Sequence, residues 1–493
     1  MVSCHCIPSE VLRTQIPTEA GQSPTPVFDR APPRAATLRT LAAAVAGMLI
    51  TNAELVDGQI VDVRVAGERI DAVAADLDPA SGPDSDEEVV DADGTLLLPG
   101  AIDAHVHFRE PGFSHKETWE TGTRSAAAGG VTTVIDMPNT SPPTATGDAF
   151  DAKADAASAA CIDYGLNGGV TGDWDPDSLF DRPLCALGEV FLADSTGDLG
   201  VAPADFEAAV DRAVAEDVIV TVHAEDETLF DESARDGDAG GRGRDANADL
   251  WSAYRTADAE AAAVEYATDV GDETGADIHI AHASTPEGID AAVDGGATCE
   301  VCPHHLYLSR DDLDDLGTLG RMNPPLRSEE RREAVFKRVA DGTVDIVATD
   351  HAPHTREEKD ADLWDAPSGV PGVETMLPLL LESARQGDLS YERVVDLVAH
   401  NPADIFDLSS KGRIEPGYDA DLVLVDPDDS REIRGDDTHS KCDWTPFEGR
   451  QGVFPELTLV RGEVVYERAP GGAAGRGDDD ESFGQVDGEN VRR

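Results

Sequence analysis

The segment Asp103-Ala-His-Val-His-Phe-Arg-Glu-Pro-Gly112 places two histidines one residue apart and an arginine two residues further on. In an extended strand alternate side chains share a face. His105, His107 and Arg109 are therefore expected to look the same way, with Asp103 behind them in support. Two imidazoles about 6–7 Å apart on one face are half of a metal site. The other half recurs at the close of later apolar runs: His223 in "VIVTVHAE", His282 in "DIHIAHAS" and Asp350 in "VDIVATDHA". One strand histidine is more often a satisfied core residue. Four imidazoles and a carboxylate, each closing an apolar run, suit a zinc-like divalent centre. The planar fork of Arg109 suits a ligand carboxylate. Its bland alternative is a surface ion pair with Glu110.

Such residues need a scaffold that brings strand ends together. Eight short apolar runs alternate with helical patterns: "LLLPGAIDAHVHF", "TTVIDMP", "IDYGLNGG", "ALGEVFLA", "VIVTVHAE", "DIHIAHAS", "TCEVCPHHL" and "VDIVATDHA". Segments such as "PADFEAAVDRAVAED" and "DAEAAAVEYATDV" read as the helices between them. This predicts an α/β chain with a (β/α)8 TIM barrel, whose active sites form at the carboxyl ends of the strands. A doubly wound open sheet would carry a Gly-rich phosphate turn after its first strand, and none is present. "AAAGGVTTV" lacks the phosphate-loop lysine and reads as a helix end and tight turn. Around the barrel (residues 98–411), residues 48–97 and 412–468 show hairpin patterns and are expected to form one small β-sandwich. Residues 1–47 carry four arginines against three acids and are expected to be a disordered extension, or to precede a true start at Met48. The Gly- and Asp-rich stretch 469–493 is expected to be a disordered acidic tail.

The composition limits partners. Of 493 residues 99 are acidic and 38 basic, a formal net charge of −61. That surface repels nucleic acid and anionic membranes, and no apolar run is long enough to span a bilayer. Only Lys116, Lys153, Lys337, Lys359, Lys411 and Lys441 are lysines. Acids spread along most of the chain with so few lysines point to adaptation to high salt, as in a haloarchaeon. Seven cysteines, an odd number without a regular framework, indicate a reducing, cytoplasmic setting. Cys299 and Cys302 read as core. The adjacent His304 and His305 are expected to point to opposite faces and to be supporting or structural.

From Met48 to Arg468 the chain resembles the amidohydrolase superfamily, and within it the class I dihydroorotases. The stretches that carry this are "PGAIDAHVHFREPGFSHKETWETGTRSAAAGGVTTVIDMPNT", "IHIAHAST", "EVCPHHLYLS", "MNPPLR", "ATDHAPH", "GVPGVET" and "KGRIEPGYDADLVLVD". The resemblance implies reversible cyclisation of N-carbamoyl-L-aspartate to L-dihydroorotate by a metal-activated hydroxide, within pyrimidine biosynthesis. It implies two divalent ions, zinc by expectation, held by His105, His107, His223, His282 and Asp350. Asp350 would move the proton, and Arg109, Asn139, Asn323 and His354 would bind the substrate carboxylate. Many members bridge their metals with a carboxylated lysine on the fourth strand. None of the six lysines lies there, and Glu189 in "GEVFLA" stands in its place, with Asp198 in the following loop as the next candidate bridge. Allantoinases, hydantoinases and an inactive scaffolding paralogue are the competing readings. Arg109, "MPNT" and "MNPPLR" favour dihydroorotate, and the retained histidines argue against an inactive chain. A homo-oligomer is expected, and association with an aspartate transcarbamoylase is a further possibility.

Overall fold

The structure is a computed structural model and describes residues 47–80, 87–193, 199–469 and 480–492. The extension before Gly47 and Asp198 both lie outside the described residues. Five strands precede the barrel: β1 (Gly47–Glu54), β2 (Ile60–Ala66), β3 (Arg69–Ala74), β4 (Glu87–Asp91) and β5 (Leu96–Pro99). The eight barrel strands follow: β6 (Ala101–Val106), β7 (Val131–Asp136), β8 (Asp163–Leu166), β9 (Leu187–Phe191), β10 (Val220–His223), β11 (Ile278–Ile280), β12 (Thr298–Val301) and β13 (Ile346–Val347). After them come β14 (Leu422–Glu432), β15 (Gln451–Val460), β16 (Glu463–Arg468) and β17 (Glu481–Phe483).

β6, β7 and β8 pair in parallel, as do β9 through β13 in order. Two parallel bridges, Gly168 to Leu187 and Val106 to His351, close the ring. Closure is what allows residues from distant strands to converge. The strands are nearly continuous apolar runs because helices cover them outside. Ile102 and Ala104 join a buried cluster with Ala403 and Phe406 from the last helical segment. Alternation then turns Asp103 and His105 inward.

Local signals explain where the crossover helices start and stop. Thr118, Thr256 and Thr285 cap helices Trp119–Ala128, Ala257–Thr274 and Pro286–Asp294, each accepting a backbone N–H of the first turn. Gly275 and Gly342 end helices with positive φ of 75° and 90°. The "AAAGG" stretch is such an end: the helix stops at Ala128 and Gly130 turns with φ 82° into β7.

Two expectations about the flanks need correction. The expected two-layer sandwich is, in its hydrogen bonding, one nine-stranded sheet. Its order is β17-β16-β15-β14-β5-β1-β2-β3, with β4 on β1, and it encloses a core with Ile50, Val63, Leu97, Leu422 and Leu459. The segments before and after the barrel join where β14 runs antiparallel to β5. The end of the chain is not a disordered tail over residues 480–492. β17 pairs with β16, and Phe483 packs its ring 4.9 Å from His439 and 5.2 Å from Tyr466. Tyr164 donates its N–H to Glu489 O and accepts from Val491 N. Composition missed this because a few anchoring residues suffice to dock a polar strand.

Candidate active site

The expected ligands converge at the carboxyl ends of the barrel strands, although most lie just past them. His223 is the last residue of β10, whereas His107, His282 and Asp350 stand one to three residues beyond β6, β11 and β13. His282 and Asp350 turn inward through left-handed backbone, with φ of 38° and 47°, a conformation uncommon outside glycine and concentrated at functional sites. Arg109 does the same at φ 67°. It thus reaches the mouth through a turn rather than through strand parity, since β6 stops at Val106. The alternative Glu110 ion pair does not form: Arg109 is 5% exposed, and Glu110 accepts the N–H of Trp119 instead.

Glu189 occupies the middle of the cluster. One carboxylate oxygen lies 2.9 Å from His223 Nδ1 and 2.6 Å from His282 Nε2. The other is 3.5 Å from His105 Nε2. Asp350 lies 2.8 Å from His107 Nε2 and 3.6 Å from His105 Nε2. Potential ligand atoms of His105, His107 and Asp350, and of His105, Glu189 and His282, fall within 4.8 Å of one another. Burial opposes ionisation of Glu189 and Asp350, but the surrounding imidazoles overcome it and keep both carboxyls below their usual range.

The outward nitrogens explain why a cation fits. His105 Nδ1 faces the carboxylate of Glu300, which only accepts. His223 Nε2 is 2.9 Å from Glu225, and His107 Nδ1 faces the amide oxygen of Asn139. Each outer nitrogen therefore keeps its proton, and each inner nitrogen is the one that can exchange a proton for a cation. Those inner nitrogens meet each other and two carboxylates: His223 Nδ1 is 3.0 Å from His282 Nε2, and His105 Nε2 is buried with no hydrogen-bond partner. Electron-rich atoms so placed are stabilised by cations between them, and imidazole with carboxylate suits a divalent ion.

The supporting acids were not singled out in the sequence. Glu225 is gripped through Arg255 Nε at 3.0 Å and 3.1 Å. Burial would raise its carboxyl, but Arg255 and His223 hold it well below the usual range. Glu300 also receives the His282 N–H at 3.1 Å and lies 3.2 Å from His279 Nε2. A readable signal existed: an acid two residues after a strand-end histidine in "HAE", and an inward acid in the apolar strand "CEV". Asp103 supports as expected, accepting from Thr349 N at 2.9 Å and His105 N at 3.3 Å.

Beside this cluster an open pocket is lined in part by Arg109, Asn139, Asn323 and Gly369. Burial pushes the Arg109 guanidinium down to about 10, and none of the described carboxylates forms an ion pair with it. Its Nε donates to Pro353 O at 3.3 Å. His354 sits behind Arg109, with Nη2 3.3 Å from its Nε2; burial first, then Arg109 and Lys116, keep its imidazole neutral. His304 and His305 do not point to opposite faces. They lie on the short helix Pro303–Tyr307, rings 4.3 Å apart, because β12 ends at Val301. Cys299 and Cys302 are buried free thiols, as read from the sequence.

Residues 96–465 match the Amidohydrolase family, and the chain belongs to that family. Among curated proteins it is 64% identical over 447 residues to the dihydroorotase of Halobacterium salinarum, covering 90% of this chain and all of that protein. It is 44% identical to the dihydroorotase of Methanosarcina mazei over 80% of this chain and 89% of that one. Among solved structures it superposes on the L-hydantoinase of Arthrobacter aurescens with a TM-score of 0.80 at 28% identity, covering 89% of this chain and 99% of that one. The dihydropyrimidinase of Brevibacillus agri gives the same TM-score at 27% identity, over 91% and 98%. A chain of this family with this site is a metal-dependent cyclic amide hydrolase.

Proposed function

We infer that this chain catalyses the reversible cyclisation of N-carbamoyl-L-aspartate to L-dihydroorotate. The observation that carries this is Arg109: a buried guanidinium that forms no ion pair with any described acid, in the cavity wall beside the histidine–carboxylate cluster. A buried unpaired cation is costly, and a substrate carboxylate offsets that cost. The dihydroorotase relatives, down to 36% identity in Staphylococcus aureus, support the same assignment. The hydantoinase and dihydropyrimidinase structures support the scaffold at lower identity.

In this reading His105, His107, His223, His282 and Asp350 would hold two divalent ions, zinc by preference, with Glu189 as a further carboxylate ligand. Bound there, the ions would lower the pKa of a water and polarise the amide carbonyl. Asp350, 7% exposed and facing the cavity, accepts the proton of the attacking water and returns it to the ring nitrogen as the bond breaks. Arg109, Asn139 and Asn323 fix the substrate carboxylate, while His354 backs Arg109. The enzyme works on a small molecule, in the cytoplasm of a salt-rich cell and as a homo-oligomer. The net charge supports the salt setting, and no described helix is long and apolar enough to cross a membrane. Cyclisation of N-carbamoyl-L-aspartate, measured together with metal content, tests the reading. Ring opening of hydantoin or allantoin with no cyclisation of carbamoyl-aspartate overturns it.

A further inference from the structure

Three buried cations, Arg109, Arg321 and Lys359, gather at the wall of this pocket, and none forms an ion pair with a described carboxylate. They are 5%, 9% and 0% exposed. In a chain with 99 acidic and 38 basic residues an acid partner is easily supplied, so cations held by other means mark a particular task. Lys359 ends the short helix Arg356–Lys359 and turns inward. Its ammonium has three N–H groups, and the structure offers a backbone carbonyl to each: Arg321 O at 2.8 Å, Pro367 O at 3.0 Å and Gly369 O at 3.0 Å. A neutral amine would set its lone pair against one of those oxygens, so the cage fits the charged form. Burial first, then Arg321 and Arg109, push the group well below the usual lysine range. The carbonyl dipoles oppose that cost.

The cage spans two segments that build the pocket. Ser368 and Gly369 line it directly, and Asn323 lines it two residues after Arg321. Arg321 O also accepts from Gly369 N at 3.1 Å, so the lysine and the backbone fasten the same two segments. Gly369 sits at φ 127°, a conformation that favours glycine. A Cβ there would lie 2.6 Å from the carbonyl oxygen of Ala352, another lining residue, so this part of the wall is seated closely. His354 Nε2 lies 2.9 Å from Ser368 O, and Lys359 is itself fixed where Thr318 donates its hydroxyl to Lys359 O. Without the ammonium, three carbonyl oxygens would face one another around an empty place, and their repulsion would loosen the wall. A substrate would then have to reorder it on binding, a cost that weakens binding and leaves the chemistry of the bound state intact.

We propose that Lys359 is a positioning residue whose buried ammonium fastens residues 367–369 to Arg321 and so keeps the pocket wall preorganised for the substrate. The proposal rests on the dihydroorotase reading. The test uses the metal-loaded full chain. Lys359→Met keeps the length of the apolar arm and removes the donors and the charge. KM for dihydroorotate is expected to rise roughly ten- to hundredfold, the range of one hydrogen bond to a charged group, with kcat and metal content at their wild-type values. A merely structural role would lower the melting temperature and leave KM alone. That result overturns the proposal, as does a fall in kcat accompanied by metal loss. If Lys359→Met does not fold, Lys359→Gln, which keeps N–H donors on a shorter arm, decides alone: a wild-type KM overturns the proposal, and a raised KM with full metal content upholds it. Wild-type protein that turns over no dihydroorotate overturns the functional reading itself, and is distinguishable because it needs no variant.

Discussion

Replacing Arg109 by methionine separates recognition from metal chemistry. The guanidinium is 5% exposed, bonded to a backbone carbonyl at 3.3 Å and free of any described acid partner. A desolvated charge pair with a substrate carboxylate is typically worth about 2–5 kcal/mol on truncation. At about 1.4 kcal/mol per decade this is a loss of roughly 30-fold to several thousand-fold in kcat/KM, carried mainly by KM. Metal content is expected to stay at the wild-type value, because Arg109 contributes no ligand atom to the cluster. The apo protein should also not become less stable. Burial lowers the guanidinium to about 10 from an ordinary value above 12, so the fold disfavours this charge until an anion arrives. Steady-state kinetics, metal analysis and apo-protein melts measure all three. A KM within twofold of wild type would refute the assignment of Arg109 to the substrate carboxylate and reopen the hydantoinase reading.

Glu189→Ala removes a buried carboxylate from among three imidazoles, a kind of change that costs about 3–5 kcal/mol; the variant is expected to hold fewer than two metals per chain and to lose turnover, and two retained metals with normal turnover would place the bridge elsewhere. With a formal net charge of −61 and a Debye length of about 3 Å in 1 M salt, the melting temperature is expected to climb steeply with KCl; a flat or falling dependence would count against salt adaptation. His439 lies 3.0 Å from both Glu374 and Glu481. Burial opposes its charge, but the two acids raise its pKa to about 10. Its stabilising contribution is therefore complete below its unfolded value near 6.5 and is lost as pH rises through about 10. His439→Gln should melt lower than wild type at pH 6 and converge with it above pH 10; a difference that does not depend on pH would show that the charge is not what secures β17.

The chemistry was legible in the sequence because it depends on residue type and strand spacing. His-x-His, the strand-end histidines and the acid of "ATDHAPH" mark a metal-type site, and alternation of apolar runs with helical patterns marks the barrel that gathers them. Glu189 was legible too: a carboxylate on an inward strand position is unfavourable unless it is paired or ligated. The failures have one cause. Strand patterns do not reveal where strands stop: Arg109 lies beyond the end of β6 and does not follow its parity, and His304 and His305 lie beyond a strand that ends at Val301.

Tertiary structure alone decided the polarity of the site. Nothing in the local sequence says that Glu300 meets His105, that Arg255 grips Glu225, or that Trp251 holds Asn323, since those pairs are 195, 30 and 72 residues apart. Hydrogen-bond direction depends on which acceptor faces which nitrogen, and that is a property of the closed barrel. The same holds for the end of the chain. Its composition reads as disordered, yet strand pairing with β16 and a few ring contacts dock residues 480–492 on the sheet. Residue identity and periodicity determined which groups could do the chemistry and on what kind of scaffold. Closure of the chain on itself decided which nitrogens keep their protons and which can exchange one for a cation, because those depend on neighbours that sequence separation conceals.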